Sequence, residues 1–336
     1  MPPIRLAIVG SGIFARDAHL PALKALGDTY EIVAIYSRNA ETVAALAATL
    51  PGSVQTYTTL EPLLARTDID AVDIILPIAV QPPMIEAALK AGKHVISEKP
   101  GAPDVESGRQ LLATAHELTS RAGIVWMIAE NIRFEPAYQQ AGEIIRRGEI
   151  GKPIQLGWQT ASVVNPQNKY YHTAWRRDKS FPGGFILDGG VHNIAAMRMV
   201  MGEIEAVSAF VTQVRPDLPP ADTLCVTFRF ANGALGSWTH TYVATSPWLN
   251  GAMQVIGERG AMQISPQQLD VSIDGKITAQ AFQVNGVQEE LAAFARAIGG
   301  EPSRSTPPHA LQDVAVIQAI LESARTGQAV QPVRVV

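Results

Sequence analysis

The chain has 336 residues, enough for two domains, and 47% of them are apolar, enough for substantial cores. Charged residues make up only 17% and the formal net charge is −4, with no basic block, so binding to nucleic acid through phosphate neutralisation has no support. A single cysteine, Cys225, excludes an intrachain disulfide framework. No apolar run approaches a membrane span, and no charged leader with an apolar core opens the chain, so a cytoplasmic protein without membrane partners is expected.

Residues 4–9 read as a buried parallel strand, followed by a glycine turn and a helix through Leu20, Leu23 and Leu26. Strands at 31–36, 53–57, 71–76, 94–97 and 123–128 then alternate with helices at 40–50, 59–65, 84–91 and 105–122. Thr59 opens one of these helices and Gly92 stops another. This alternation predicts a doubly wound parallel sheet over residues 1–125.

The pattern then changes. A helix at 136–147 stops at Gly148, an extended segment covers 154–164, and a helix runs from about Gly190 to Met201. Residues 205–273 read as strand after strand, with Asn232-Gly233 as a hairpin turn. Helices at 287–298 and 311–326 close the chain. The economical fold for 126–336 is an α+β domain on a mostly antiparallel open sheet of about six strands, covered on one face by helices. The other face predicts self-association, as a homodimer or homotetramer. Cys225, beside Leu224, Val226 and Phe228, reads as a buried inert thiol.

Three short motifs carry chemistry. Gly10-Ser11-Gly12-Ile13-Phe14-Ala15 lies between a strand and a helix, where backbone N–H groups and a helix N-terminus can cradle a pyrophosphate. The end of the second strand reads Tyr36-Ser37-Arg38-Asn39, with no acid for a free ribose 2′-hydroxyl. Ser37 and Arg38 suit a 2′-phosphate, which favours NADP over NAD. Lys99, in Glu98-Lys99-Pro100, stands at the carboxyl end of a strand, where open α/β sheets bind ligands. It reads equally as a partner of Glu98 or as a substrate group.

In the segment from Gly183 to His192, Asp188 and His192 are spaced to share one helix face. Asp188 is placed to cap a helix entering near Gly189, and His192 to move a proton. The loop Tyr170–Arg177 offers Tyr171, Trp175 and Arg176 as a substrate wall for sugar rings and hydroxyls. The remaining histidines, His19 among them, show no ligand spacing, so no metal is expected.

In these motifs and their order, the chain resembles the glucose–fructose oxidoreductase, inositol dehydrogenase and MocA family along nearly its whole length. The resemblance implies an N-terminal Rossmann domain, an NAD(P) cofactor, and a sugar, polyol or related hydroxyl compound as substrate. It implies that Lys99 contacts substrate and nicotinamide ribose across a cis Lys99–Pro100 bond, that Asp188 positions substrate and imidazole, and that His192 handles the proton. The expected cofactor set is Gly10, Ser11, Gly12, Ile13, Phe14, Ser37, Arg38, Glu98 and Lys99. Ala195 stands where the family often carries a further acid. Two other readings use the same scaffold: a non-enzymatic NADP-binding regulator and a cofactor-retaining glycoside hydrolase.

Overall fold

Short apolar strands alternating with helices build the first sheet. They are β1 (Ile4–Val9), α1 (Leu20–Ala25), β2 (Tyr30–Tyr36), α2 (Ala40–Ala47), β3 (Gln55–Tyr57), α3 (Glu61–Leu64), β4 (Ala71–Ile74), α4 (Gln81–Lys90), β5 (His94–Glu98), α5 (Val105–Ala122) and β6 (Trp126–Ala129). The computed structural model describes residues 2–179, 181, 183–246 and 251–335. The strands are parallel in the order β3-β2-β1-β4-β5-β6. Strand order reverses between β1 and β4, which places a ligand crevice at the carboxyl ends there. Ala7, Val9, Ala34, Val72, Ile74 and Val95 from the strands pack with Ile85, Leu89 and Leu111 from the helices. Thr59 caps nothing, because α3 starts at Glu61 behind Leu60 without a side-chain cap.

The second sheet follows α6 (Pro136–Arg146). Its elements are β7 (Pro153–Ala161), α7 (Gly184–Met201), β8 (Ile204–Thr212), β9 (Thr223–Phe230), β10 (Leu235–Thr241), β11 (Met253–Gly257), β12 (Gly260–Ser265), β13 (Gln268–Ile273) and β14 (Lys276–Ala281), before α8 (Gly286–Ile298) and α9 (Pro307–Thr326). Among the described residues it has eight strands, in the order β14-β13-β12-β11-β7-β10-β9-β8. The sequence indicated about six. The additional ones are β7, which inserts between β11 and β10, and the exposed edge strand β14. All neighbours are antiparallel except β10 with β7. The Asn232-Gly233 hairpin joins β9 and β10 as expected, with Leu235 opposite Arg229.

Cys225 is exposed, contrary to the sequence reading. Leu224, Val226 and Phe228 share one parity of β9 and are buried, whereas Cys225 has the other parity and faces outward.

The chain divides into two compact units. One is Met1–Asn131 with Gly286–Leu311, and the other is Ile132–Asn285 with Gln312–Val336. The sequence reading drew a single boundary at 125/126, whereas α8 and the start of α9 return to the first unit. No helix among the described residues is long and apolar enough to cross a membrane.

Candidate active site

The glycine loop sits at the reversal of strand order. Gly10 has φ +123°, and a Cβ there would meet Ile75 O at 2.2 Å, so no other residue fits this turn. Its N–H donates to Tyr36 O at 2.8 Å, and Ile75 N–H donates to Val9 O at 2.8 Å, which pins the end of β1. A Cβ on Gly12 would meet nothing within 4 Å, so the backbone there is open to close approach by a ligand. Helical geometry begins at Ile13 and Phe14 and widens into a π-helical turn, Ala15–His19. The first N–H groups of a helix have no acceptor within it and suit phosphate.

The loop after β2 lies alongside. Ser11 Oγ and Thr42 Oγ1 are 2.7 Å apart, and Ser37 Oγ lies 3.4 Å from the same Thr42 atom. Asn39 caps α2 by accepting from Glu41 N and Thr42 N, and Arg38 is exposed. The open backbone at Gly12, the helix start and this hydroxyl- and guanidinium-bearing loop fit a dinucleotide.

Lys99 directly follows β5, and the Lys99–Pro100 bond is cis, as the resemblance implies. The buried Glu98 carboxylate, expected to face the cofactor, lies 3.0 Å from His19 Nε2. His19 Nδ1 in turn lies 2.8 Å from Asp73 Oδ2. No local pattern connects His19 to these acids, which lie 54 and 79 residues away in the chain. Fold topology alone brings them together.

In the second unit, α7 begins at Gly184, so Asp188 lies inside the helix and does not cap it. Phe185, Ile186, Leu187 and Val191 are all buried, the mark of a helix enclosed on most sides. Gly189 and Gly190 look like a helix boundary in sequence but serve close approach. A Cβ on Gly189 would meet Tyr242 Oη at 2.3 Å, and one on Gly190 would meet Ile317 Cδ1 at 3.1 Å. The partly exposed positions near the start of α7 are Asp188, Gly189, His192 and Asn193. They share one face, because the i, i+4 spacing holds once the helix includes them. Ala195 is fully buried, so this position contributes to the core.

The loop before α7 wraps this face. Arg176 Nε lies 2.6 Å from Asp188 Oδ2, its guanidinium stacks 4.1 Å from the Trp175 ring, and its Nη1 donates to Thr173 Oγ1 at 3.1 Å. Tyr171 points elsewhere and donates to Asp217 Oδ2 at 2.7 Å, with Arg177 stacked 4.7 Å over its ring. Arg215, with Tyr171 also donating, holds the Asp217 carboxyl down at about 2. Tyr242 went unnoticed in sequence. Its hydroxyl lies against Gly189, and burial, reinforced by the Asp188 charge, pushes its pKa up. No spacing rule links Tyr242, just past the end of β10, to a helix fifty positions earlier.

The strand order, glycine loop and crevice together define a nicotinamide-dinucleotide oxidoreductase. A model of an oxidoreductase family with an NAD-binding Rossmann fold matches residues 4–124, and the GFO/IDH/MocA C-terminal domain matches residues 138–263. The chain is 32% identical over 350 residues to the dehydrogenase FPY6 of Fusarium mangiferae, covering 96% of both proteins. It is 27% identical over 332 residues to D-xylose 1-dehydrogenase (NADP(+)) 2 of Haloferax volcanii, covering 96% of this chain and 98% of that one. The crystal structure of an oxidoreductase from Thermotoga maritima superposes with a TM-score of 0.89 at 38% identity, over 98% of each chain. The chain belongs to the GFO/IDH/MocA family of oxidoreductases.

Proposed function

We propose that the protein is an NADP-dependent oxidoreductase that moves a hydride between the nicotinamide and a C–OH or C=O group of a sugar, polyol or related small hydroxyl compound. The observation that carries this reading is the face of α7, where Asp188 and His192 stay partly exposed on a helix otherwise largely buried. A core helix keeps an acid and an imidazole on one open face when they meet a ligand. The relative named for D-xylose and NADP supports the substrate class and the cofactor.

The bound nicotinamide supplies the hydride acceptor or donor. Lys99 polarises the substrate oxygen with its ammonium. His192 takes the hydroxyl proton on an imidazole nitrogen during oxidation and returns it during reduction. Asp188, held by Arg176, orients the substrate and the imidazole. Ser37 and Arg38 receive the 2′-phosphate, while Gly10 to Phe14 receive the pyrophosphate. The enzyme is expected to work in the cytoplasm as a homodimer or homotetramer.

Turnover across aldoses, ketoses, inositols and diols, each with NADP and NAD, tests the reading. A sugar-like substrate oxidised or reduced with NADP(H) is the expected result. In that assay His192→Ala lowers kcat by ~10²–10⁴-fold while NADPH affinity is nearly retained. Wild-type kcat in that variant removes His192 from the mechanism, and no turnover across the panel removes the substrate class.

A further inference from the structure

His19 ends the π-helical turn behind the glycine loop and is fully buried. Its ring spans two strands, with Nδ1 2.8 Å from Asp73 on β4 and Nε2 3.0 Å from Glu98 at the end of β5. Both contacts have hydrogen-bond length, so each requires a proton on its line. A neutral imidazole supplies only one. The second sits on the ring or on a carboxyl. Burial disfavours the charged ring, but the charges and hydrogen bonds of Asp73 and Glu98 outweigh it and hold His19 well above the ordinary imidazole range.

A third acid faces this cluster from α8. Glu290 is fully buried, and neither of its carboxyl oxygens has a hydrogen-bond partner among the described residues. Ligand atoms of His19, Glu98 and Glu290 lie within 4.8 Å of one another. Burial, opposed by His19 and reinforced by Glu98, Glu130 and Asp73, pushes Glu290 well above the carboxyl range. Glu290 is therefore the group that stays protonated. The cluster balances as one cation between two carboxylates, with a neutral acid behind it and the buried Glu130 nearby. Lys99 is the residue next to Glu98.

We propose that His19 is a positioning residue, an imidazolium that clamps the Glu98 carboxylate to β4 and so fixes the strand end that carries Lys99. This rests on the reading of Lys99 as the group that polarises the substrate oxygen. Reacting groups must be held to a fraction of an ångström, and displacement by about 1 Å can lower rates by about 100-fold. A clamp on the neighbouring residue supplies that restraint without touching substrate.

The first test uses the full chain with ¹⁵N-labelled histidine rings, the His19 signal being assigned by its loss in His19→Gln. Both His19 nitrogens should stay protonated at about pH 8, well above the ordinary imidazole pKa of about 6.5. A neutral ring there overturns the proposal. Glu290→Gln, which replaces a protonated acid with a neutral isostere, should leave that signal and turnover unchanged. Metal analysis supplies a second arm. A stoichiometric divalent ion in the purified protein, lost in Glu290→Gln, also overturns the proposal and makes the cluster a metal centre.

Kinetics with the substrate found in the panel supply the third arm. His19→Gln should lower kcat by about 10–100-fold with NADPH affinity retained. In a Lys99→Ala background the same change should have no further effect. If Lys99→Ala keeps wild-type kcat, the reading of Lys99 fails. If Lys99→Ala is slow and His19→Gln is not, the clamp fails and that reading stands.

Discussion

Arg176 Nε lies 2.6 Å from Asp188 Oδ2, with the two side chains 15% and 13% exposed. The carboxylate one turn before His192 is thus neutralised by a guanidinium that lies over Trp175. Trp175 and Arg176, expected as a substrate wall, form a holding device for Asp188.

Arg176→Gln should take this guanidinium away from the Asp188 carboxylate in a largely dry setting. Loss of one partner from such a pair destabilises by about 3 kcal/mol. Arg176→Lys should restore little, because an ammonium lacks the planar fork and the flat face that Trp175 covers. Urea unfolding and kcat of the two variants check this. A lysine variant equal to wild type in both would show that charge alone suffices.

Arg38 is exposed at the end of β2, where no carboxylate awaits a ribose hydroxyl. Arg38→Ala should reduce the preference for NADPH over NADH by the worth of one charge-assisted contact, ~1.5–3 kcal/mol. Fluorescence titration of both nucleotides measures it. An unchanged ratio would place the 2′-phosphate elsewhere or leave the protein indifferent to it.

The first unit was largely legible because parallel strands buried on both faces read as continuous apolar runs, and the alternation with helices is regular. Gly10 was legible because its turn is local. The second unit was harder. Gly189 and Gly190 mimic a helix start, and only the ring of Tyr242 and the side chain of Ile317 explain why glycine sits inside α7. The insertion of β7 between β10 and β11 is a long-range pairing that no local pattern records. Cys225 was misread through its immediate neighbours, when strand period two points them to the opposite face. His19 looked idle because Asp73, Glu98 and Glu290 reach it only through the sheet order and α8.

The outward face of the second sheet bears on assembly. Phe210 is 82% exposed and pairs in register with the exposed Cys225, and Leu235 and Ile256 also face outward. Apolar groups spread over an open sheet face favour self-association with two-fold symmetry. Light scattering at micromolar concentration should give a multiple of the monomer mass. Phe210→Lys combined with Leu235→Lys should shift it toward the monomer. A monomeric wild type at that concentration would contradict the proposal.

His240 sets an acid limit on stability. It is buried beneath Tyr242, with ring centroids 4.2 Å apart, and its Nε2 has no hydrogen-bond partner among the described residues. Its Nδ1 lies 2.6 Å from Thr160 Oγ1, which also accepts from Trp238 Nε1 at 2.9 Å. Burial lowers the imidazole from 6.5 to about 4. Between these values the unfolded chain binds the proton more readily than the folded one. Stability from this group is complete above about pH 6.5 and falls as the pH drops toward 4. His19 acts in the opposite sense, because its folded value is raised. Its contribution is complete below about 6.5 and is lost as the pH rises through the folded value. The two are separated by comparing wild type with His240→Gln. The stability gap between them should narrow by about 2 kcal/mol from about pH 7.5 to pH 5. A gap independent of pH would mean that the ring is not held neutral. Because Tyr242 carries His240 on one side and lies against Gly189 on the other, the same acid step should loosen the face that presents Asp188 and His192. Turnover in that range should then fall more steeply in wild type than in His240→Gln.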